Sequence, residues 1–292
     1  MIAHKPVLLE EVIALLEPKS NQSFIDATVG QGGHAHEILS HTHPDGRLLG
    51  IDRDAPNLNI AKKRLKPFGA RAVLVQDSYA NVSTHAYAHK FSQVDAILVD
   101  LGFSSAHIDD PKRGFSFQQE GPLDMRYDTR QKLTAAEIVN TWDEDELARV
   151  FRKLGEETYA RQIAKAIVKA RVLGDFQTTT QLAELIVKNK RRGGKIHPAT
   201  QVFQALRMTV NRELEELEKA LPEFVSLLRP GGRLAVISFH SLEDRIIKQF
   251  FADKQKNKEI KIQTKRPITA TLSEIKSNPR ARSAKLRVAE TV

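Results

Sequence analysis

The chain has 292 residues, a net charge of +9, 41% hydrophobic residues and 28% charged ones. That apolar share supports a buried core and excludes disorder as the main state, and the length fits two domains or one core carrying an insertion. No run approaches the roughly 18 uncharged apolar residues of a membrane span, and zero cysteines exclude disulfides, thiol nucleophiles and thiolate metal sites. The opening MIAHKPVLLEEV carries carboxylates within its apolar stretch and no small-residue cleavage site, so a cytoplasmic protein without a leader is expected.

The pattern predicts a helix over Val7 to Leu16, stopped by Pro18, and a strand from Ser23 to Val29 that breaks into Gly30-Gln-Gly-Gly33. A short helix follows, then strand Arg47 to Ile51, a helix over Asn57 to Leu65, strand Arg71 to Val75 and strand Val94 to Val99. Short apolar strands alternating with helices predict a doubly wound α/β domain with a parallel sheet covered on both faces. From about residue 108 to 200 the pattern turns wholly helical. Thr134-Ala-Ala-Glu137 and Asp143-Glu-Asp-Glu146 read as capping boxes, the second helix ending near Gly155. Helices over Thr158 to Arg171 and Gln181 to Lys190 come next, then a long one starting at His197-Pro198, with Phe203, Leu206, Val210, Leu214 and Leu217 at helical spacing. Strand character returns at Gly232 to Ser238, followed by a helix over Leu242 to Phe251 and a last strand-like piece, Ala284 to Ala289. The expected organisation is a discontinuous domain, residues 1–107 and 201–292, interrupted by a helical insertion at 108–200.

The positive charge is localised. Twelve Lys and Arg between Lys248 and Arg287 face only Asp253, Glu259 and Glu274, so the rest of the chain is neutral. An excess of that kind suits a polyanion, with a solvated basic tail as the plain alternative.

Glycines at a strand-to-helix turn let backbone approach a ligand closely, and Asp52 stands 20 residues past Gly32, where a carboxylate takes ribose hydroxyls. The loop also reads as G-x-G-x-x-A (Gly30, Gly32, Ala35), which would suit a nicotinamide dinucleotide. Three features favour S-adenosylmethionine instead: Asp26 within the first strand, Asp77-Ser-Tyr79 ending the third, and Asp100-Leu-Gly-Phe103 ending the fourth. A dehydrogenase has no reason to fill all three places. His197 and His240 lack a paired ligand spacing, so no metal site is predicted.

Further motifs make the resemblance specific. They are His4-Lys-Pro-Val-Leu-Leu9, Asp26 to His34, Leu49 to Asp54, Val99-Asp-Leu-Gly-Phe-Ser-Ser105, Arg113-Gly-Phe-Ser-Phe117, Gly121-Pro-Leu-Asp-Met-Arg126, His197-Pro-Ala-Thr200 with Phe203 to Arg207, Ser238 to Arg245, and Asn278 to Ser283. In these the chain resembles the bacterial methyltransferases that modify the exocyclic N4 amine of a cytosine in small-subunit ribosomal RNA near the P site. The resemblance implies a Rossmann-like class I methyltransferase sheet with an inserted all-helical domain, S-adenosyl-L-methionine as cofactor, and ribosomal RNA or the assembled small subunit as partner. Whether the chain acts alone or as a homodimer stays open.

The resemblance puts the cofactor contacts on Gly32, Gly33, His34, Asp52, Tyr79, Asp100 and His107. Two positions depart from the family, which usually has glutamine at His107 and arginine at Gln201. Tyr79 would stack on adenine, though a lone aromatic at a strand end also suits core packing. Asp100 is the candidate catalytic group, orienting the amine, with Phe103 stacking on the base. Arg113, Arg126, Arg207 and the basic C-terminal region are candidate phosphate grips, while the loop Arg113 to Phe117 otherwise reads as packing for two buried rings. A ribosome-assembly factor that binds the donor without turnover, and a nicotinamide oxidoreductase, are the competing classes.

Overall fold

A computed structural model describes residues 6–190 and 196–292, so His4 and Lys5 of the first motif lie outside the described residues. The chain forms two compact units, Met1–Gly102 with Leu214–Val292, and Phe103–Glu213. The boundaries therefore fall at Gly102 and Glu213 rather than at 107 and 201.

The first unit opens with α1 (Leu9–Leu16), β1 (Ser23–Asp26), α2 (Gly33–His41), β2 (Arg47–Asp52), α3 (Ala55–Leu65), β3 (Ala72–Gln76), α4 (Val82–Ala88) and β4 (Val94–Asp100). The helical unit holds α5 (Ser105–Asp109), α6 (Ala135–Thr141), α7 (Glu144–Gly155), α8 (Ala160–Arg171), α9 (Thr179–Asn189) and α10 (Thr200–Asn211). Back in the first unit come α11 (Glu213–Leu227), β5 (Leu228–Ser238), α12 (Ser241–Lys256), β6 (Ile260–Ile262), β7 (Ile268–Thr269), α13 (Leu272–Ser277) and β8 (Lys285–Thr291).

The sheet runs β3-β2-β1-β4-β5-β8-β6, with β7 also on β8. The five strands from β3 to β5 are parallel, while β8 pairs antiparallel with β5, β6 and β7. The doubly wound part is parallel, as expected, and β8 with β6 and β7 adds an antiparallel extension to it. β6 and β7 are short edge pieces without a hydrophobic run, which is why periodicity missed them. One core lies between the sheet and α4, α11 and α12 around Phe91, Phe224 and Phe251; the other packs α1, α2 and α3 on the opposite face around Leu8, Phe24 and Ile38.

The long predicted helix after His197 is two helices. Arg212 takes a left-handed backbone (φ 52°) and ends α10, so Leu214 and Leu217 belong to α11, and Leu217 is buried in the sheet core instead. Helical spacing carried across the break because both segments bury an apolar stripe. Pro198 lies in the turn before α10, where the Thr200 N–H donates to the His197 carbonyl. The capping box at Asp143 forms in full, whereas Thr134 accepts from the Glu137 N–H without the return bond. The helical unit has its own core, built on Phe151, Ile163, Leu182 and Leu206.

Candidate active site

In the order β3-β2-β1-β4-β5 the chain winds outward from β1 and then crosses to β4, so β1 and β4 flank the topological switch point. Open α/β sheets bind ligands there, outside the carboxyl ends of the strands. Those ends carry acids: Asp26 closes β1, Asp52 closes β2 and Asp100 closes β4. The strand predicted to run to Val29 stops at Asp26, because the next residues bond sideways. The Ala27 N–H donates to the Leu98 carbonyl and the Val29 N–H to the Ile51 carbonyl, each at 2.9 Å. The Thr28 Oγ1 accepts from the Asp100 N–H at 2.6 Å and pins β4 to the loop, a role no motif signalled.

The glycine loop turns the chain into α2. Gly32 is its N-cap with φ 76°, a left-handed conformation that disfavours any side chain, and no side chain caps the helix. Gly33 is a glycine for a different reason: a Cβ there would stand 2.4 Å from Pro6 Cγ. Close packing of the N-terminal segment demands that glycine, whatever the ligand. The uncapped first turn of α2 presents backbone donors suited to an anion.

Asp52 organises the loop. Its Oδ2 accepts from the Gly30 N–H and its Oδ1 from the Asp54 N–H, both at 2.8 Å. A carboxylate oxygen can accept from more than one donor, and a ribose hydroxyl is a donor of that kind. Tyr79 sits in a short 3₁₀ turn after β3, its ring 6.3 Å from Phe224 and 5.7 Å from the Arg53 guanidinium. One part of the ring packs on the core and another lies against a polar network. That network pairs Arg53 with Glu216 and Ser78, and it was invisible in the sequence because Glu216 lies 163 positions from Arg53. Beneath it, desolvation pushes the Asp77 carboxyl up, but bonds from His85, the Ser78 N–H and Asn81 outweigh it and hold the group below its ordinary range.

Burial and mutual repulsion dominate the acids at the switch point. Asp26 is 1% exposed, and desolvation with the nearby Asp52 charge raises its pKa to about 7, against one bond from the Thr28 N–H. Asp100 is held well above the usual carboxylate range by desolvation, then by Asp26 and by Glu243 of α12. Its Oδ1 is buried without a hydrogen-bond partner among the described residues. His34 of α2 approaches it, Nδ1 lying 4.0 Å from Asp100 Oδ2. Glu243 is placed by a capping box, accepting from the Phe239 and His240 N–H groups while His240 Nδ1 accepts from the Glu243 N–H.

The raised Asp26 gives a stability prediction. Its folded pKa of about 7 exceeds the unfolded value of 3.8, so its contribution is fully present below pH 3.8 and is lost as pH rises towards 7. Asp26→Asn should therefore melt well above the parent at pH 8 and close to it at pH 4. Equal melting gaps at both pH values would show that Asp26 ionises normally.

The remaining predicted residues belong to the helical unit. His107 is 3% exposed, its Nδ1 accepts from the Ser104 N–H at 3.1 Å, and its ring packs 4.8 Å from Phe115 and 5.2 Å from Tyr127. Within this unit it is a packed aromatic. Phe117 stacks on His197 at 4.5 Å and meets Phe203 edge-on, so the loop from Arg113 packs its two rings. Gln201, at the second departure from the family, accepts from Lys190 Nζ and donates to the Glu156 carbonyl, joining α7, α9 and α10.

The three internal arginines, candidate phosphate grips, are engaged within the helical unit. Arg113 donates to the Arg126 and Tyr127 carbonyls. Arg126 binds Asp124 and the carbonyls of Thr129 and Gln131, and buried Arg207 holds Glu213 through two bonds of 3.0 and 2.9 Å. Their guanidiniums hold the unit's own loops. In the C-terminal region, Lys285 and Arg287 pair with Asp244 and Lys254 with Glu259, whereas Lys248, Lys256, Lys258, Lys261, Lys265, Arg266, Lys276, Arg280 and Arg282 are exposed. No helix among the described residues is long and apolar enough to cross a membrane.

The sequence model of the MraW methylase family matches residues 1–292. A protein of Trichormus variabilis named ribosomal RNA small subunit methyltransferase H is 49% identical over 291 residues, covering 99% of this chain and 92% of its own. Proteins of the same name from Syntrophotalea carbinolica and Halothermothrix orenii are 47% and 43% identical, covering 97% and 100% of this chain and 96% and 99% of theirs. With acids at the switch point, an uncapped helix start beside them and a family match from end to end, the chain belongs to the MraW methylase family.

Proposed function

We propose that the chain methylates the exocyclic N4 of a cytosine in small-subunit ribosomal RNA, using S-adenosylmethionine. The observation that carries this reading is Asp100, an acid at the switch point with one buried oxygen left without a partner among the described residues. The names of the relatives supply the RNA class. The cytosine N4 rests on the motif resemblance and on what Asp100 can do for an amine.

The residues fit the cofactor. The first turn of α2, entered through Gly32 and Gly33 and bearing His34, offers backbone N–H groups to a carboxylate. Asp52 accepts from ribose hydroxyls, and Tyr79 backs an adenine. We keep His107 among the cofactor contacts on the resemblance alone. When bound, S-adenosylmethionine supplies an electrophilic methyl group on a positively charged sulfur.

A cytosine amine is a weak nucleophile because its lone pair is delocalised into the ring. Asp100 accepts an amine hydrogen, turns the lone pair out of conjugation and holds the proton that leaves once the carbon–nitrogen bond forms. Positioning by Asp100 and the uncapped loop supplies most of the acceleration. Phe103 is 39% exposed and backed by Arg207 at 4.7 Å, so it can stack on an unpaired base. Mass spectrometry of small-subunit RNA from cells with and without the protein tests the assignment: a methyl on a cytosine amine that vanishes with the protein is expected, and an unchanged RNA would overturn it.

The exposed basic residues from Lys248 to Arg282 are the remaining candidates for phosphate contacts. Binding of small-subunit RNA should weaken as salt rises, because each contact releases counterions. Replacing Lys265 and Arg266 by alanine should lower the log–log salt slope by about 0.7 for each phosphate no longer neutralised. An unchanged slope would remove these two from the interface.

A further inference from the structure

His34 lies between two oxygens of opposite demand. Its Nε2 is 2.9 Å from the Val7 carbonyl oxygen, which can only accept, so that nitrogen carries a proton. Its Nδ1 is 4.0 Å from Asp100 Oδ2, and the residue is 6% exposed. A neutral ring so fixed turns the basic edge of Nδ1 towards an acid. A lone pair and an ionised carboxylate gain nothing from each other. One proton, on either group, turns the contact into a charge-assisted hydrogen bond once the pair closes, and catalytic contacts commonly tighten only when substrate arrives.

We propose that His34 and Asp100 act as one proton-holding pair, with Asp100 the catalytic residue and His34 the positioning residue that holds its carboxyl and shares the proton taken from the substrate amine. This rests on the reading of Asp100 given above. As N4 bonds to the methyl carbon, the carbon–sulfur bond breaks with its electron pair going to sulfur. The amine gives up one proton to Asp100, and the pair holds it between Oδ2 and Nδ1 until solvent removes it.

The surrounding charges favour that outcome. Asp26 from β1 and Glu243 from α12 face Asp100 as like charges, so the cluster gains by taking up a proton. Arg64 of α3 lies beside Gly33, at the start of the helix that bears His34. A site with two bases holds its first proton more tightly than either base alone, because the proton has two places to sit. Removing the histidine base must therefore move the first titration step to lower pH and weaken the hold on the product proton.

The test is the single-turnover rate on unmethylated small-subunit RNA, at saturating S-adenosylmethionine, from pH 5 to 9. His34→Gln keeps an amide donor for Val7 but offers no base to Asp100. Its acidic limb should move to lower pH by about one unit, and its plateau should fall at least about tenfold. A His34→Gln enzyme with the parent's limb and plateau would overturn the pair while leaving Asp100 in place. Asp100→Asn, run alongside, separates the two ideas: an inactive protein keeps the Asp100 reading, and full turnover sinks that reading and the pair together. Should His34→Gln fail to fold, nitrogen NMR of the unaltered protein decides. The Nδ1 signal of His34 is expected to titrate with the midpoint of the rate profile, and a signal flat through that midpoint refutes the sharing.

Discussion

Asp100→Asn should lower turnover at least about a hundredfold and leave the protein as stable as the parent, or more so. The rate loss follows from removing the group that accepts the amine proton, a contribution of about 10²–10⁴ in comparable general-base cases. The stability gain follows from the surroundings: desolvation and the charges of Asp26 and Glu243 penalise an ionised Asp100, and the amide is neutral. A residue whose removal stabilises the fold while stopping the chemistry is one kept for function. Single-turnover assays and thermal melts at pH 7.5 check both halves. Full activity would exclude Asp100 from the chemistry, and a lower melting temperature would mean that the carboxylate has a structural partner.

Arg207→Ala should damage the helical unit rather than RNA affinity. Arg207 and Glu213 are 9% and 7% exposed, and Glu213 also accepts from the Tyr127 hydroxyl at 3.1 Å. Truncating the arginine takes two charge-assisted hydrogen bonds from a buried carboxylate, which costs about 3–5 kcal/mol in comparable buried pairs. Arg207→Lys should recover only part of it, since an ammonium cannot make the paired contact of a guanidinium. Hydrogen exchange across α6 to α10 should rise, while the salt slope of RNA binding by the folded fraction stays at the parent value. Normal exchange with a slope lowered by about 0.7 would return Arg207 to the phosphate interface.

The strands, the glycine loop and the acids at Asp26, Asp52 and Asp100 were legible because they are local. A short apolar run, a turn that tolerates only glycine, and a carboxylate at a strand end each leave a mark within a few residues. Arg113, Arg126 and Arg207 show the opposite case. As letters they are cations available to a phosphate. In the fold their donors meet carbonyls and carboxylates brought up by the chain's turns. The long helix after His197 failed for a related reason, since spacing records which face is buried and not whether the backbone continues through Arg212.

The sequence by itself determined the alternation of strands and helices, the family and most of the residues at the carboxyl edge of the sheet, because periodicity and short motifs are properties of neighbouring positions. Only the tertiary structure decided that Asp26, Asp100 and Glu243 crowd one another, that His34 turns a basic nitrogen towards Asp100, and that the helical unit runs from Phe103 to Glu213. Protonation and ion pairing depend on distance and burial, and those are set by residues dozens or hundreds of positions apart.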